Sequence, residues 1–152
     1  MKKFILNIII FIFISGCGYV PIYSSNNKVN FEIRKINITG DRDLNQNIII
    51  QLKNIKSKNE SNPKIYDLTI NTNIEKIVTS KDSKGNPKTY KMISTINLKT
   101  IKEGKKYNIE LKSVENYNDI SSKFELENFE NNLKKNSASK IVQDIILYLI
   151  TL

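Results

Sequence analysis

The sequence predicts an α+β fold: a two-layer sandwich of a mainly antiparallel four-stranded sheet with two helices on one face. Three observations predict it. Several stretches alternate apolar and polar residues with period two, the signature of half-buried strands. Two other stretches repeat apolar residues every three or four positions, as amphipathic helices do. The order of these patterns is strand, helix, three strands, helix (β-α-β-β-β-α), and two one-sided helices need a common apolar sheet to cover.

The first strand is marked by Val29, Phe31 and Ile33, with Ile36 and Ile38 in the opposite phase. A phase change inside one strand predicts a bulge, here near Arg34-Lys35. Gly40-Asp41 ends the strand, and Asp41 or Asp43 is placed to cap a helix. Leu44, Ile48, Leu52 and Ile55 form that helix's single apolar stripe, which the polar stretch Ser57 to Pro63 breaks. Tyr66, Leu68, Ile70, Thr72 and Ile74 alternate with mostly polar residues as a second strand. The run Asp82-Ser83-Lys84-Gly85-Asn86-Pro87 is rich in turn formers. A third strand shows Tyr90, Met92, Ile96 and Leu98 on one face, and Glu103-Gly104 reverses the chain into a fourth carrying Tyr107, Ile109 and Leu111. The last three strands read as a meander. Phe129, Leu133, Ser137, Ile141, Ile145, Tyr148 and Leu152 then recur at helical spacing, with Ile146, Leu149 and Ile150 widening the stripe. A helix facing the core is the preferred reading for this stripe, with a membrane-surface helix as the alternative; its apolar run Ile145–Ile150 is too short to span a bilayer.

The N-terminus stands apart from this domain. Lys2 and Lys3 precede eleven residues, Phe4 to Ile14, of which only Asn7 is polar. As a helix that run reaches about 16 Å, against ~30 Å of hydrocarbon, so it fits a cleaved signal core better than a permanent span. Ile14-Ser15-Gly16-Cys17 matches the lipobox of bacterial lipoprotein precursors. The thiol of Cys17 accepts a diacylglyceryl group in thioether linkage. Ile14, Ser15 and Gly16 are the residues a lipoprotein signal peptidase recognises, the small ones opening the backbone to it. The amine freed on Cys17 then takes an N-acyl chain, and two or three chains anchor stably where one is marginal. The expected organisation is residues 1–16 as signal peptide, 17–30 as lipidated N-terminus and tether, and 31–152 as one domain. Gly18 follows the cysteine where Asp would be the retention residue. By resemblance to lipoproteins of Gram-negative bacteria, that favours the outer membrane.

Composition narrows the chemistry. Cleavage removes Lys2 and Lys3, so 22 of the 24 basic residues remain against 15 acidic ones, a formal +7. Such a surplus favours anionic headgroups or phosphorylated glycolipids. A purely compositional origin stays open, since Asn, Lys and Ile are abundant throughout and Arg34 and Arg42 are the only arginines. Nucleic acid is not an expected partner of an exported chain. There is no histidine, and the single cysteine is committed to lipid. Neither a Gly-rich phosphate loop nor a metal-ligand cluster appears. Glu125 and Glu127 are a conceivable acid/base pair, with solvated surface as the plainer reading. The expectation is a non-enzyme that needs no metal or cofactor beyond the covalent diacylglycerol and N-acyl chain on Cys17.

Cys17-Gly18-Tyr19-Val20-Pro21-Ile22-Tyr23 is similar to the Cys-Gly-(aromatic)-x-Pro-Leu-Tyr opening of the lipopolysaccharide-assembly lipoprotein family LptE, with Ile22 replacing Leu. Arg42 followed by Leu44, Ile48 and Leu52 looks like that family's first helix, and Tyr66-Asp67-Leu68 like the Tyr-x-Leu opening its second strand. The resemblance implies an outer-membrane plug of the LptD β-barrel that binds lipopolysaccharide and assists its delivery, making and breaking no bond. Lys81, Lys84 and Lys88, in the loop between the second and third strands, are the candidate donors to lipid A phosphates. A solvated loop is the alternative there. The competing reading of the whole chain is an auxiliary lipoprotein of an ABC-type intermembrane lipid-transport system.

Overall fold

Among the described residues six elements follow one another in the predicted order: β1 (Phe31–Thr39), α1 (Arg42–Lys53), β2 (Lys64–Lys81), β3 (Pro87–Lys102), β4 (Lys105–Asn118) and α2 (Lys123–Thr151). The computed structural model describes residues 29–55, 63–102 and 104–152. Ile14, Ser15, Gly16 and Cys17, most of the tether and Glu103 therefore lie outside the described residues.

The strands form one sheet in the order β1-β2-β3-β4. The β2–β3 and β3–β4 pairs are antiparallel, the meander read from the sequence, whereas β1 pairs with β2 in parallel. A parallel neighbour needs a crossover connection, and α1 supplies it. The sheet is mixed, with two of its three pairings antiparallel. In β1 the register shifts between Ile33, opposite Tyr66, and Lys35, opposite Asp67. Arg34 is the extra residue of the bulge, which returns both Ile33 and Ile36 to the helix-covered face.

One face of the sheet meets both helices. Leu68, Ile70, Ile96 and Leu98 are buried with Leu44, Ile48 and Leu52 of α1 and with Ile141, Ile145 and Leu149 of α2 in one core. A smaller cluster of Tyr90, Met92 and Tyr117, with Leu126 and Leu133 against it, lies under the first half of α2. Outside both clusters, Ser94, Ser113 and Ser137 are small and buried. The opposite face, with Thr69, Asn71, Asn73, Asn97, Lys99, Asn108 and Glu110 exposed, carries no helix among the described residues.

The helix ends are secured by side chains. Asp41 caps α1, its Oδ1 accepting from the Leu44 N–H at 2.9 Å. Ser122 caps α2, accepting from the Glu125 N–H at 3.4 Å. The last carbonyls of a helix have no partner within it. Here β2 provides one: the Tyr66 hydroxyl donates to the Leu149 carbonyl at 3.1 Å across 83 residues of chain. Lys102 Nζ donates to the Leu152 carbonyl beside it. The Tyr66 ring is fully buried and packs edge-on against Phe31, with ring centroids 5.7 Å apart. Tyr66→Phe is therefore expected to lose about 1–2 kcal/mol, read as a lower urea midpoint with an unchanged m-value. A midpoint equal to wild type would show that the hydroxyl does not support the end of α2.

The α2 stripe departs from expectation at its edges. Ile150 is half exposed (51%) and Phe129 is also exposed. Five residues of helix turn Ile150 about 140° away from Ile145, out of the buried arc. Phe129 instead lies against Tyr117, with centroids 5.8 Å apart.

Candidate functional site

The β2–β3 hairpin that holds the candidate lysines is built around one carboxylate. Asp82 Oδ1 accepts from the backbone N–H groups of Lys84 and Asn86, both at 2.8 Å, and Oδ2 accepts from the Asn86 side-chain amide at 2.9 Å. The Asp82 N–H donates to the Asn86 carbonyl, and the Gly85 N–H to the Asp82 carbonyl. Gly85 occupies positive φ (85°), which closes so tight a turn at little cost. The amide groups of Asn86, with help from the Lys84 and Gly85 N–H groups, hold the Asp82 carboxyl below the usual carboxylate range. Its lone pairs are thus directed into the turn.

Lys81, Lys84 and Lys88 are all exposed on this hairpin, at the end of β2, in the turn and at the start of β3. The ion pairs among the described residues include none of the three. The Asp119 N–H donates to the Lys88 carbonyl at 2.9 Å, tying the hairpin base to the chain that leaves β4. The result is a rigid turn presenting three ammonium groups at one end of the sheet. Such an arrangement suits a polyanion.

Below the hairpin, α2 is clamped to the sheet. Glu130 Oε1 accepts from Lys76 Nζ at 2.6 Å and from the Tyr117 hydroxyl at 2.7 Å. Lys76 Nζ also sits 4.1 Å from the centroid of the Tyr90 ring, which stacks on Tyr117 at 5.4 Å. Burial, followed by the hydrogen bond to Glu130, pushes the Tyr117 hydroxyl well above the ordinary phenol range. It stays a neutral donor. This is a crosslink between helix and sheet, with its carboxylate already occupied by a cation and a phenol. Glu125 and Glu127 are exposed near the start of α2, and residues two apart on a helix do not face each other. No group of three His, Cys, Asp or Glu side chains able to hold a metal occurs among the described residues. No helix among them is long and apolar enough to cross a membrane.

The sheet face opposite α1 and α2 bears a second basic region, at the end opposite the hairpin. A shallow trough of about 570 Å³ there is lined by Lys35, Asp67, Lys99, Ile101, Lys106 and neighbouring residues. Asp67 is engaged by Arg34, which donates from Nε to Oδ1 at 3.0 Å and from Nη2 to Oδ2 at 2.5 Å, and the pair depresses the carboxyl. Sequence reasoning missed this region because Lys35 is remote in sequence from Lys99 and Lys106 and joins them only through strand pairing. The available signal was their placement at outward positions of strands whose inward positions are apolar.

No family model matches this chain, and no curated protein matches it either. Solved structures do. Rare lipoprotein B from Shewanella oneidensis is 16% identical, with a TM-score of 0.54 over 77% of this chain and 97% of that one. Lipoprotein B from Nitrosomonas europaea is 12% identical, with a TM-score of 0.53 over 82% and 87%. A minor lipoprotein from Acinetobacter baumannii is 14% identical, with a TM-score of 0.54 over 80% and 93%. The β-α-β-β-β-α domain thus has a fold found in lipoproteins of three different bacteria.

Proposed function

We propose that this chain is a non-enzymatic lipoprotein of the outer membrane, anchored on its periplasmic face through Cys17. In this reading it plugs and stabilises an LptD-type β-barrel and binds lipopolysaccharide, assisting its assembly at the cell surface. One combination carries the reading: a lipobox stands directly ahead of a domain whose fold recurs in bacterial lipoproteins. The LptE-like opening Cys17 to Tyr23 supports it, as does the basic hairpin at the far end of the sheet. The work is binding and positioning, carried out by surfaces, with lipid A phosphates meeting Lys81, Lys84 and Lys88 as charge-assisted acceptors.

Purification of the lipidated protein in mild detergent, with mass spectrometry of its partners, tests the assembly. A large outer-membrane barrel is the expected partner. Recovery of an ABC component or a periplasmic lipid shuttle in its place would replace this reading with the lipid-transport one. The hairpin is tested separately by changing Lys81, Lys84 and Lys88 together to Glu. Lipopolysaccharide binding is expected to weaken at least about tenfold, since each charge-assisted hydrogen bond contributes roughly 1.5–3 kcal/mol. Unchanged affinity would remove the hairpin as the lipid site while leaving the assembly role intact.

A further inference from the structure

The chain enters the domain at the end of the sheet opposite the hairpin, and that end is basic and apolar together. Phe31 at the start of β1 pairs with Lys64 at the start of β2, while β3 ends and β4 begins with Lys102 opposite Lys105. Lys64, Lys99, Lys105 and Lys106 are exposed here, and none takes part in an ion pair or side-chain hydrogen bond among the described residues. The described carboxylates of the strands at this end are Glu32 and Asp67, and Arg34 engages the second. Asp144 lies about two turns back from the end of α2. Four large apolar side chains accompany the lysines. Ile65 (50% exposed) and Ile101 (51%) stand on the open sheet face, and Leu147 (50%) and Ile150 (51%) near the end of α2. The Tyr66–Leu149 and Lys102–Leu152 hydrogen bonds hold the end of α2 against these strand ends.

Chain length decides which end can meet the anchoring leaflet. Eleven residues lie between Cys17 and Val29, twelve steps along the chain, so the tether reaches at most about 40 Å. The 18 residues of β2 place the hairpin about 55–60 Å from the entry point. An upright domain resting on its hairpin would hold Val29 farther from the leaflet than the tether extends. Resting on the entry end requires almost no reach.

From this juxtaposition we infer that the entry end, through Lys64, Lys99, Lys105 and Lys106 with Ile65 and Ile101, docks on the anionic phospholipid headgroups of the leaflet that holds the Cys17 lipid. The orientation rests on the anchoring proposed above; the surface itself does not. Ammonium groups on long stems meet phosphates while the isoleucines enter the headgroup boundary, the division of labour of an interfacial surface. Docking leaves the hairpin end pointing away from the anchoring headgroups, free for a barrel lumen.

The mature chain from residue 17 carrying Cys17→Ser, and so no lipid, isolates the surface. Its flotation is measured with vesicles of phosphatidylcholine alone and with vesicles containing about one third phosphatidylglycerol at low salt. Partitioning is expected to be at least about tenfold stronger on the anionic vesicles and to collapse near 0.5 M salt. Changing Lys64, Lys99, Lys105 and Lys106 together to Gln should remove that preference, whereas Lys81, Lys84 and Lys88 changed to Gln should keep it. Circular dichroism and thermal melting confirm that each variant is folded. Equal flotation on both vesicles, or a preference abolished by the hairpin variant alone, overturns the proposal. So does binding that appears only with lipopolysaccharide in the vesicle, which would make this end a glycolipid site. The mass of the N-terminal peptide from the wild-type chain made in a Gram-negative host reports lipidation independently. An unlipidated Cys17 would sink the anchoring reading without touching the flotation result.

Discussion

Gly40→Ala is expected to destabilise the domain by about 3–5 kcal/mol, a large share of the ~5–15 kcal/mol that holds a typical domain folded. Two costs coincide at this residue. Gly40 has φ 108°, a conformation closed to side chains other than by strain. A Cβ there would also stand 1.9 Å from the Thr72 carbonyl oxygen and 2.6 Å from Thr72 Oγ1. Backbone cannot swing aside as a side-chain tip can, so the β1–α1 turn would have to lift off β2. That would break the bonds from Thr72 Oγ1 to the Thr39 carbonyl, at 3.2 Å, and to Asn45 Oδ1, at 2.7 Å. Gly85→Ala is the control: φ is also positive (85°), but a Cβ there meets nothing within 4 Å. It should cost only about 1–2 kcal/mol. Urea denaturation of both variants measures the difference. Equal losses would mean that the close approach to Thr72 carries no energy.

Cys17→Ala should leave the precursor uncleaved and without lipid. No other thiol exists to accept the diacylglyceryl group, and the lipoprotein peptidase acts only on the modified cysteine. Each buried methylene contributes ~0.8 kcal/mol, so losing two or three acyl chains removes the stable anchor and leaves only what a single uncleaved apolar segment provides. Labelled palmitate incorporation should fall to background, and the protein should migrate heavier by the retained signal segment. Normal processing and labelling of the variant would refute the lipobox reading. The Gly40 and Cys17 changes separate cleanly. The first is expected to act on folding alone, the second on lipidation alone.

Several details of the fold were legible residue by residue. The phase change from Ile33 to Ile36 is a local property of the chain, and the bulge at Arg34 follows it. A cap at Asp41 or Asp43 was legible, and the structure selects Asp41. The stripe Leu44, Ile48, Leu52 and the alternation Tyr66, Leu68, Ile70 each identify a buried face, because burial imposes the period of the element on its apolar residues. Ile150 shows the limit of that argument. It is as apolar as Leu149, and only the helical angle separates the exposed one from the buried one. The hairpin lysines were legible as a cluster because Lys81, Lys84 and Lys88 are neighbours in sequence; Lys99, Lys105 and Lys106 are also close in sequence, and strand pairing adds the distant Lys64.

By itself, then, the sequence determined the class of fold, the order of its elements and the faces they bury. All of these depend on spacing within about a dozen residues. Only the tertiary structure decided that β1 lies parallel to β2, that the Tyr66 hydroxyl meets the Leu149 carbonyl, that Arg34 engages Asp67, and that the chain enters beside a second basic end. Those contacts join residues as much as 83 apart. Periodicity says which face of a segment is apolar, but not which other segment will cover it. That choice is made when the whole chain packs, where one arrangement buries every stripe at once.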